Sequence, residues 1–158
     1  MKIIISVLLI SFLTACATGS SLEVLAPELV DKTDKNIVIL NVRDKYIRML
    51  EKELRKKGFK IKKFASTKRV SELMKPTRVE SYNNAEARYA IEVNYQVNAG
   101  RQCFGGGASF NYFIVELSDL KSNEIILIRE DSGYSEKCPP LSGKIFENSA
   151  NAINSLWK

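Results

Sequence analysis

The sequence predicts an α+β domain: a small mixed or antiparallel sheet with helices packed on one face, in the order β-α-β-(α)-β-β-β-α. Three observations predict it. Residues 87–98, ARYAIEVNYQVN, alternate Tyr89, Ile91, Val93, Tyr95 and Val97 with Arg88, Ala90, Glu92, Asn94 and Gln96, the pattern of an antiparallel strand with one wet face. SFNYFIVEL and NEIILIRE follow, joined through residues 118–123, whose polar composition is that of a hairpin turn. Residues 143–158 then place Ile145, Phe146, Ala150, Ile153, Leu156 and Trp157 on one face at helical spacing.

The elements before these follow in order. NIVILN, residues 36–41, has four consecutive apolar residues and reads as a strand covered on both faces. Asn41 is placed to cap a helix running to Lys57 and stopping at Gly58. Along that helix Ile47, Leu50 and Leu54 give the core face, and Lys45, Arg48, Lys52 and Arg55 form a stripe on the opposite side. The stripe has two readings: a solvated face with pairs such as Glu51 and Arg55, or a binding surface. Residues 59–64, FKIKKF, carry three lysines, which suits an edge strand guarded against aggregation. Ser66 is placed to cap a short second helix through Met74, ended by Pro76.

The chain opens MKIIISVLLISFLTAC, with Lys2 as a positive start and residues 3–13 almost wholly apolar. That run is shorter than the roughly 20 residues of a spanning helix and has the build of a secretory signal. Residues 13–16, LTAC, resemble the lipobox of bacterial lipoproteins. The resemblance implies a signal peptide over residues 1–15, a lipidated Cys16 as the mature N-terminus and, with Ala17 rather than Asp next, an outer-membrane anchor whose domain faces the periplasm. Several acyl chains hold firmly where one is marginal. Residues 16–35 read as the lipidated cysteine and a flexible tether of small residues without periodicity. Residues 36–158 read as one periplasmic domain.

Charge is distributed unevenly. The chain's net charge is +6, yet residues 43–78 hold 14 Lys and Arg against 4 Asp and Glu, and the segments on either side are net negative. A local basic surface favours anionic headgroups, cell-wall carboxylates or an acidic protein face. Nucleic acid also attracts such patches, but a secreted address argues against it.

A strand and helix ending KGF, a lysine-rich strand, ARYAIEVNYQV, FIVELSDLKSNEIIL and a terminal helix together resemble the N-terminal domain of TolB. They also resemble the related domain of outer-membrane lipoproteins that activate peptidoglycan synthases. The family's third segment is similar to residues 87–91, and its L-x-D before a polar turn is matched by Leu117, Ser118 and Asp119. The resemblance implies a non-catalytic envelope domain. The glycines at 105–107 and the cysteine pair depart from its pattern.

With Cys16 lipidated, Cys103 and Cys138 remain, and an even remainder in an oxidising compartment points to a disulfide. Two reduced thiols are the alternative; a metal pair is poor, since there is no histidine and two thiols do not complete a zinc site. The stretch RQCFGGGASF leads into a strand, not a helix, and lacks a following Gly-Lys-Ser/Thr. It is therefore a turn and not a phosphate cradle. Absence of histidine also removes histidine-based triads. Ser118 and Lys121 have bare S-x-x-K spacing without companion motifs, and Glu130 and Asp131 are adjacent rather than opposed, unlike a glycosidase pair. No enzyme activity, cofactor or metal is expected. The expectation is a lipid-anchored binding domain for an envelope protein or complex, using Lys45, Arg48, Lys52 and Arg55 or the exposed-anchor candidate Phe104. The alternatives are direct binding of an anionic envelope polymer or lipid headgroups, and inhibition of a wall-degrading hydrolase.

Overall fold

The computed structural model describes residues 19–62, 87–101 and 103–158. Six strands form one mixed sheet: β1 (Ser20–Val24), β2 (Asn36–Ile39), β3 (Lys60–Lys62), β4 (Tyr89–Val97), β5 (Ser109–Asp119) and β6 (Glu124–Tyr134). Their spatial order is β1-β6-β5-β4-β2-β3. The pairs β1/β6, β6/β5 and β5/β4 are antiparallel, whereas β2 runs parallel to both β4 and β3. Two helices, α1 (Lys45–Lys56) and α2 (Ile145–Ser155), supply buried side chains to the same core cluster as one face of the sheet. The expected α+β class and strand-helix order hold, with one strand added at the front.

The alternation of β4 decides which way that sheet faces. Tyr89, Ile91 and Val93 are buried in the core under the helices, Tyr95 and Val97 pack against it, and Glu92, Asn94 and Gln96 are exposed on the other side. Phe113, Val115 and Leu117 of β5 continue the core face. In β2, Ile37 enters the main core while Val38 joins a smaller cluster with Ala87, Ala90 and Leu120, so this strand is covered on both sides as its unbroken apolar run requires.

Helix α1 begins later than expected. Its cap is Asp44, whose carboxylate accepts the N–H groups of Tyr46 and Ile47 at 2.7 and 2.9 Å. Asn41 is not the cap. Its side chain instead bridges to β4, accepting the Val93 N–H at 2.7 Å and donating to the Val93 carbonyl at 2.6 Å. That exchange satisfies a strand position just past β2, where the ladder has ended. The helix stops as expected at Gly58, which takes φ +88°. The described part of the lysine-rich segment contributes Lys60–Lys62 to the sheet, beside β2; residues 63–64, the expected helix over residues 66–74 and Cys16 lie outside the described residues.

The tether expected over residues 16–35 is corrected in its described part. Residues 20–24 pair with β6 over five positions, a short 3-10 turn follows at Pro27–Leu29, and Leu29 and Val30 pack against the core. Polar groups then fix the segment. The Tyr89 hydroxyl accepts the Asp31 N–H and donates to the Leu29 carbonyl. Arg88 donates to the Leu29 carbonyl at 2.9 Å and pairs with Asp119, which is 1% exposed. The Trp157 indole N–H donates to the Asp34 carbonyl at 2.8 Å.

The Asp44 cap also accepts the Tyr95 hydroxyl. Burial pushes the Tyr95 hydroxyl up to about 12, and the neighbouring carboxylate adds to the effect. For Asp44, burial raises the carboxyl pKa, but the Tyr95 hydroxyl and the two helix N–H groups outweigh it, leaving it below the ordinary value. A depressed carboxylate stabilises the fold above its unfolded pKa, and that contribution is lost as pH falls through the folded value. Asp44→Ala is expected to cost about 1–2 kcal/mol at neutral pH. In denaturant titrations its deficit against the wild type should shrink below about pH 4; a deficit that stays constant down to acid unfolding would show that the charge plays no part.

Candidate interaction surfaces

The glycine stretch and the segment before α2 meet at one corner of the domain. Cys103 and Cys138 lie with Cα atoms 4.7 Å apart and their sulfurs bonded. Gly107 donates to the Lys137 carbonyl at 3.1 Å, and Ser135 donates to the Ala108 carbonyl at 2.8 Å, so the two segments run in backbone contact. The glycines make this approach feasible: a Cβ on Gly105 would meet the Lys137 carbonyl and one on Gly107 would meet the Glu136 carbonyl. Gly106 takes φ +84° and turns the chain. The run does turn a corner, and its outer two glycines also let two backbones touch.

Around this joint the polar groups are matched. The buried Ser135 hydroxyl accepts the Ala108 N–H at 2.9 Å, and the Ser142 hydroxyl accepts the Cys138 N–H at 2.9 Å. Lys144 offers no side-chain cap to α2. Glu136 replaces it from outside the helix, its carboxylate accepting the N–H groups of Phe146 and Glu147 at 3.3 and 2.8 Å, a favourable place for negative charge. The corner is thus fastened to the helix layer. From it Phe104 projects with 96% of its surface exposed, and Leu141 is 52% exposed nearby in sequence to Cys138.

The basic stripe is exposed along α1: Lys45, Arg48, Lys52 and Arg55 all lie at the surface. The pair of Glu51 with Arg55 considered from sequence does not form. Glu51 is 4% exposed and binds Arg43 instead, as helix position 51 turns inward beside the core residues Ile47 and Leu54. No ion pair is found for Lys52 or Arg55 among the described residues. The structure also makes the two candidate surfaces adjacent. A crevice of about 280 Å³ is lined by Lys45 and Tyr46 of α1 and by Asn98, Arg101, Cys103 and Gly107 of the loop. Arg101, whose guanidinium lies 5.7 Å from the Tyr134 ring centre, was not singled out from sequence. Its neighbour across the crevice is 56 positions away in the chain, and no local pattern signals that meeting.

The two bare motifs are placed as follows. Ser118 ends in β5, 7% exposed, with its hydroxyl 3.5 Å from Glu116, while Lys121 is exposed in the turn. Glu130 and Asp131 point to opposite faces of β6, Asp131 being buried against Arg129. Among the described residues no group of three or more His, Cys, Asp or Glu is placed to hold a metal, and no helix is long and apolar enough to cross a membrane.

Fold and surfaces define a two-layer α+β domain with an exposed aromatic corner and a basic helix. No protein-family model matches the sequence, and no curated protein matches it. Solved structures do. A point variant of the PelC dodecamer from Paraburkholderia phytofirmans shares 11% identity, with a TM-score of 0.53 over 88% of this chain and 99% of that one. A second PelC dodecamer structure from the same organism shares 14% identity over 89% of this chain and 97% of that one, with a TM-score of 0.49. TolB from Acinetobacter baumannii shares 12% identity over 87% of this chain and 30% of that one, with a TM-score of 0.42. The first of these supports the fold.

Closing a loop of 35 residues stabilises by roughly 4 kcal/mol in the chain-entropy model. Cys103→Ser is therefore expected to lower stability by up to about that amount, and alkylation of the untreated protein should leave Cys103 and Cys138 unmodified until reductant is added. Full alkylation of both without reductant would refute the bond.

Proposed function

We propose that this chain is an envelope lipoprotein, anchored through Cys16, whose domain is a non-catalytic binding module for an envelope protein or complex. The observation that carries the reading is Phe104: a large aromatic side chain almost wholly exposed on a corner fixed by backbone contacts and two cysteines. Rigid aromatic anchors are the side chains that interfaces use for most of their binding energy, and ordering such a corner before docking lowers the cost of binding. The crevice lined by Cys103, next to the anchor in the chain, also holds Arg101 and Lys45, and Arg48, Lys52 and Arg55 continue along the helix. This arrangement, an apolar point with a cationic border, suits a partner that offers a pocket beside acidic residues.

The corrected N-terminus bears on how the module is held. Strand β1 begins at Ser20, so a lipid on Cys16 would be joined to it by a few residues spanning at most about 14 Å. On this reading the domain works close to the membrane surface, at the outer membrane facing the periplasm, and a partner would meet it there.

A second reading has its own support. The exposed cations of α1 suit anionic polymer or lipid headgroups directly. Salt separates the two, because exposed charges are screened over about 8 Å at physiological ionic strength while an aromatic anchor is not.

In-cell photo-crosslinking tests the proposal, with probes at Phe104 and at Lys52 in separate strains. The expected result is a defined protein adduct at Phe104, and a Phe104→Ala variant is expected to bind the same partner roughly tenfold or more weakly in vitro. Silence at both positions, together with pelleting of the protein on cell wall or anionic vesicles at low salt only, would overturn it in favour of the polymer reading.

A further inference from the structure

Strand β1 stands at the end of the sheet's strand order, and all five of its residues are exposed. It pairs with β6 without a register shift, and that pairing sets which of its backbone groups look outward. The Gly19 carbonyl accepts the Ser132 N–H at 2.8 Å, and the Leu25 N–H donates to the Ile126 carbonyl at 2.8 Å, so the odd-numbered positions bond to β6. Bonded pairs alternate along an antiparallel ladder, which turns the N–H and carbonyl groups of Ser20, Leu22 and Val24 away from β6. Among the described residues no strand pairs with that outer side. The same three residues stand opposite Asp131, Arg129 and Leu127. Leu127 belongs to the core and Asp131 meets Ser149 of α2, so Ser20, Leu22 and Val24 share the helix face and Ser21 and Glu23 the other.

An exposed edge of this kind is a template for another strand. Strand β1 has no lysine or proline to guard it, and its one charge is Glu23. Leu22 and Val24, each 44% exposed, add apolar surface beside the outward backbone groups. The strand is also complementary to itself. Paired antiparallel about a two-fold axis at Leu22, Ser20 of one copy stands opposite Val24 of the other and Leu22 opposite Leu22, each pair exchanging both backbone hydrogen bonds. On the helix face Leu22 then meets Leu22 and Val24 meets Ser20; on the other face Glu23 meets Ser21. Moving the axis to position 23 keeps the bonding pattern but sets Glu23 against Glu23, and like charges directly opposite are unfavourable. Moving it to position 21 leaves Val24 with no residue of β1 opposite it. Charge and strand length thus select one register, and a second copy of β1 supplies every residue it needs.

We propose that the chain dimerises through β1, the outer edge of that strand in one copy pairing antiparallel with the same edge of a second copy, centred on Leu22, to give one sheet running through both. Such a contact uses the same surface twice and closes at two copies. It draws on neither Phe104 nor the cations of α1, so it stands apart from the binding-module reading. Backbone hydrogen bonds and the apolar contact of Leu22 and Val24 hold it together, which makes it insensitive to the salt that screens exposed charges.

The purified full chain in non-ionic detergent tests this in two ways. Mild oxidation of cysteine variants reads the register, with the parent chain oxidised in parallel. Leu22→Cys is expected to form a disulfide-linked dimer with itself, since opposed Cα atoms about 5.5 Å apart suit a disulfide. Ser21→Cys and Glu23→Cys are expected to link several-fold more when mixed than either does alone. Sedimentation velocity in density-matched detergent reads the association, and the wild type is expected to sediment as a dimer that dissociates on dilution and persists near 1 M salt. Leu22→Pro removes a backbone donor that points away from β6, where an edge strand accepts proline. Both central bonds of the dimer are then lost, and association should weaken roughly tenfold or more. Leu22→Lys keeps the donor but sets like charges opposite each other, and should weaken it as well. An unchanged near-ultraviolet signal from the aromatic core shows that both variants are folded. A monomeric wild type, a dimer that neither substitution weakens, or a Glu23→Cys variant that links to itself as readily as Leu22→Cys overturns the proposal. If the wild type is monomeric and a photo-crosslinker at Leu22 in cells joins a different protein or lipid, the edge serves that occupant and the dimer is refuted.

Discussion

The ring of Phe110 is the point on which the two layers meet. It is 2% exposed and lies edge-on to Tyr46 of α1, Tyr95 of β4, Phe113 of β5 and Phe146 of α2, at centroid distances between 5.1 and 6.0 Å. Edge-to-face packing of this kind is directional, so the ring fixes orientation as well as burying area. Both helices are thereby held on the sheet at the same place. Phe110 in turn follows directly on the glycine corner, where Gly107 and Ala108 are bonded to residues 135–137. The backbone contact at the corner sets where β5 begins, and the start of β5 sets where the ring points. A surface loop and the centre of the core are thus one mechanical unit, which is why a residue at the loop's tip, Phe104, is presented from a firm base.

A second set of constraints works at the opposite end of the sheet, and it is polar. Tyr89, Arg88 and Trp157 all come from the packed body of the domain, and all three spend a hydrogen-bonding group on backbone carbonyls or N–H groups of residues 29–34. Arg88 reaches there from its pairing with Asp119, so the carboxylate buried at the end of β5 is satisfied by the same side chain that holds the N-terminal segment. A segment with little apolar content of its own is fixed because the body supplies the donors and acceptors it needs.

That difference explains what could be read from the sequence and what could not. Strand β4 was legible because every second side chain is apolar and buried; β2 was legible because all its central residues are. Strand β1, SSLEV, shows no alternation of burial, since all five residues are exposed, and so it has no hydrophobic signal to detect. What makes it a strand is the free edge of β6, a property of another part of the chain. The helix cap was misread for a related reason. Asn41 and Asp44 are both competent caps, and the choice between them depends on Val93 and Tyr95, which lie about fifty residues on. The cysteine pair and the exposure of the basic stripe were legible from composition and periodicity. The meeting of Lys45 with Arg101 was not, because a crevice between a helix start and a distant loop has no footprint in local spacing.

The outward side chains of the strands and of α1 bear on the charge distribution. Residues 43–78 are strongly basic and those after them net acidic, and a chain with that composition could fold with its charges intermixed. Among the described residues, two elements show how core packing sets where charges point. In β4 the period of two sends Tyr89, Ile91 and Val93 to the core, which obliges Glu92 to face outward, and the register of β5 and β6 then sets Glu116 and Glu130 on the same side. In α1 the helical period places Ile47, Leu50 and Leu54 inward, which obliges Arg48, Lys52 and Arg55 to face out from the other layer. Burial of one apolar face per element is therefore enough to give α1 a cationic outer side and to turn Glu92, Glu116 and Glu130 outward. Long-range attraction and orientation of a partner follow from the arrangement of charge as well as from its sum, so the outward cations of α1, fixed by the burial of Ile47, Leu50 and Leu54, bear on it beyond the net charge of +6.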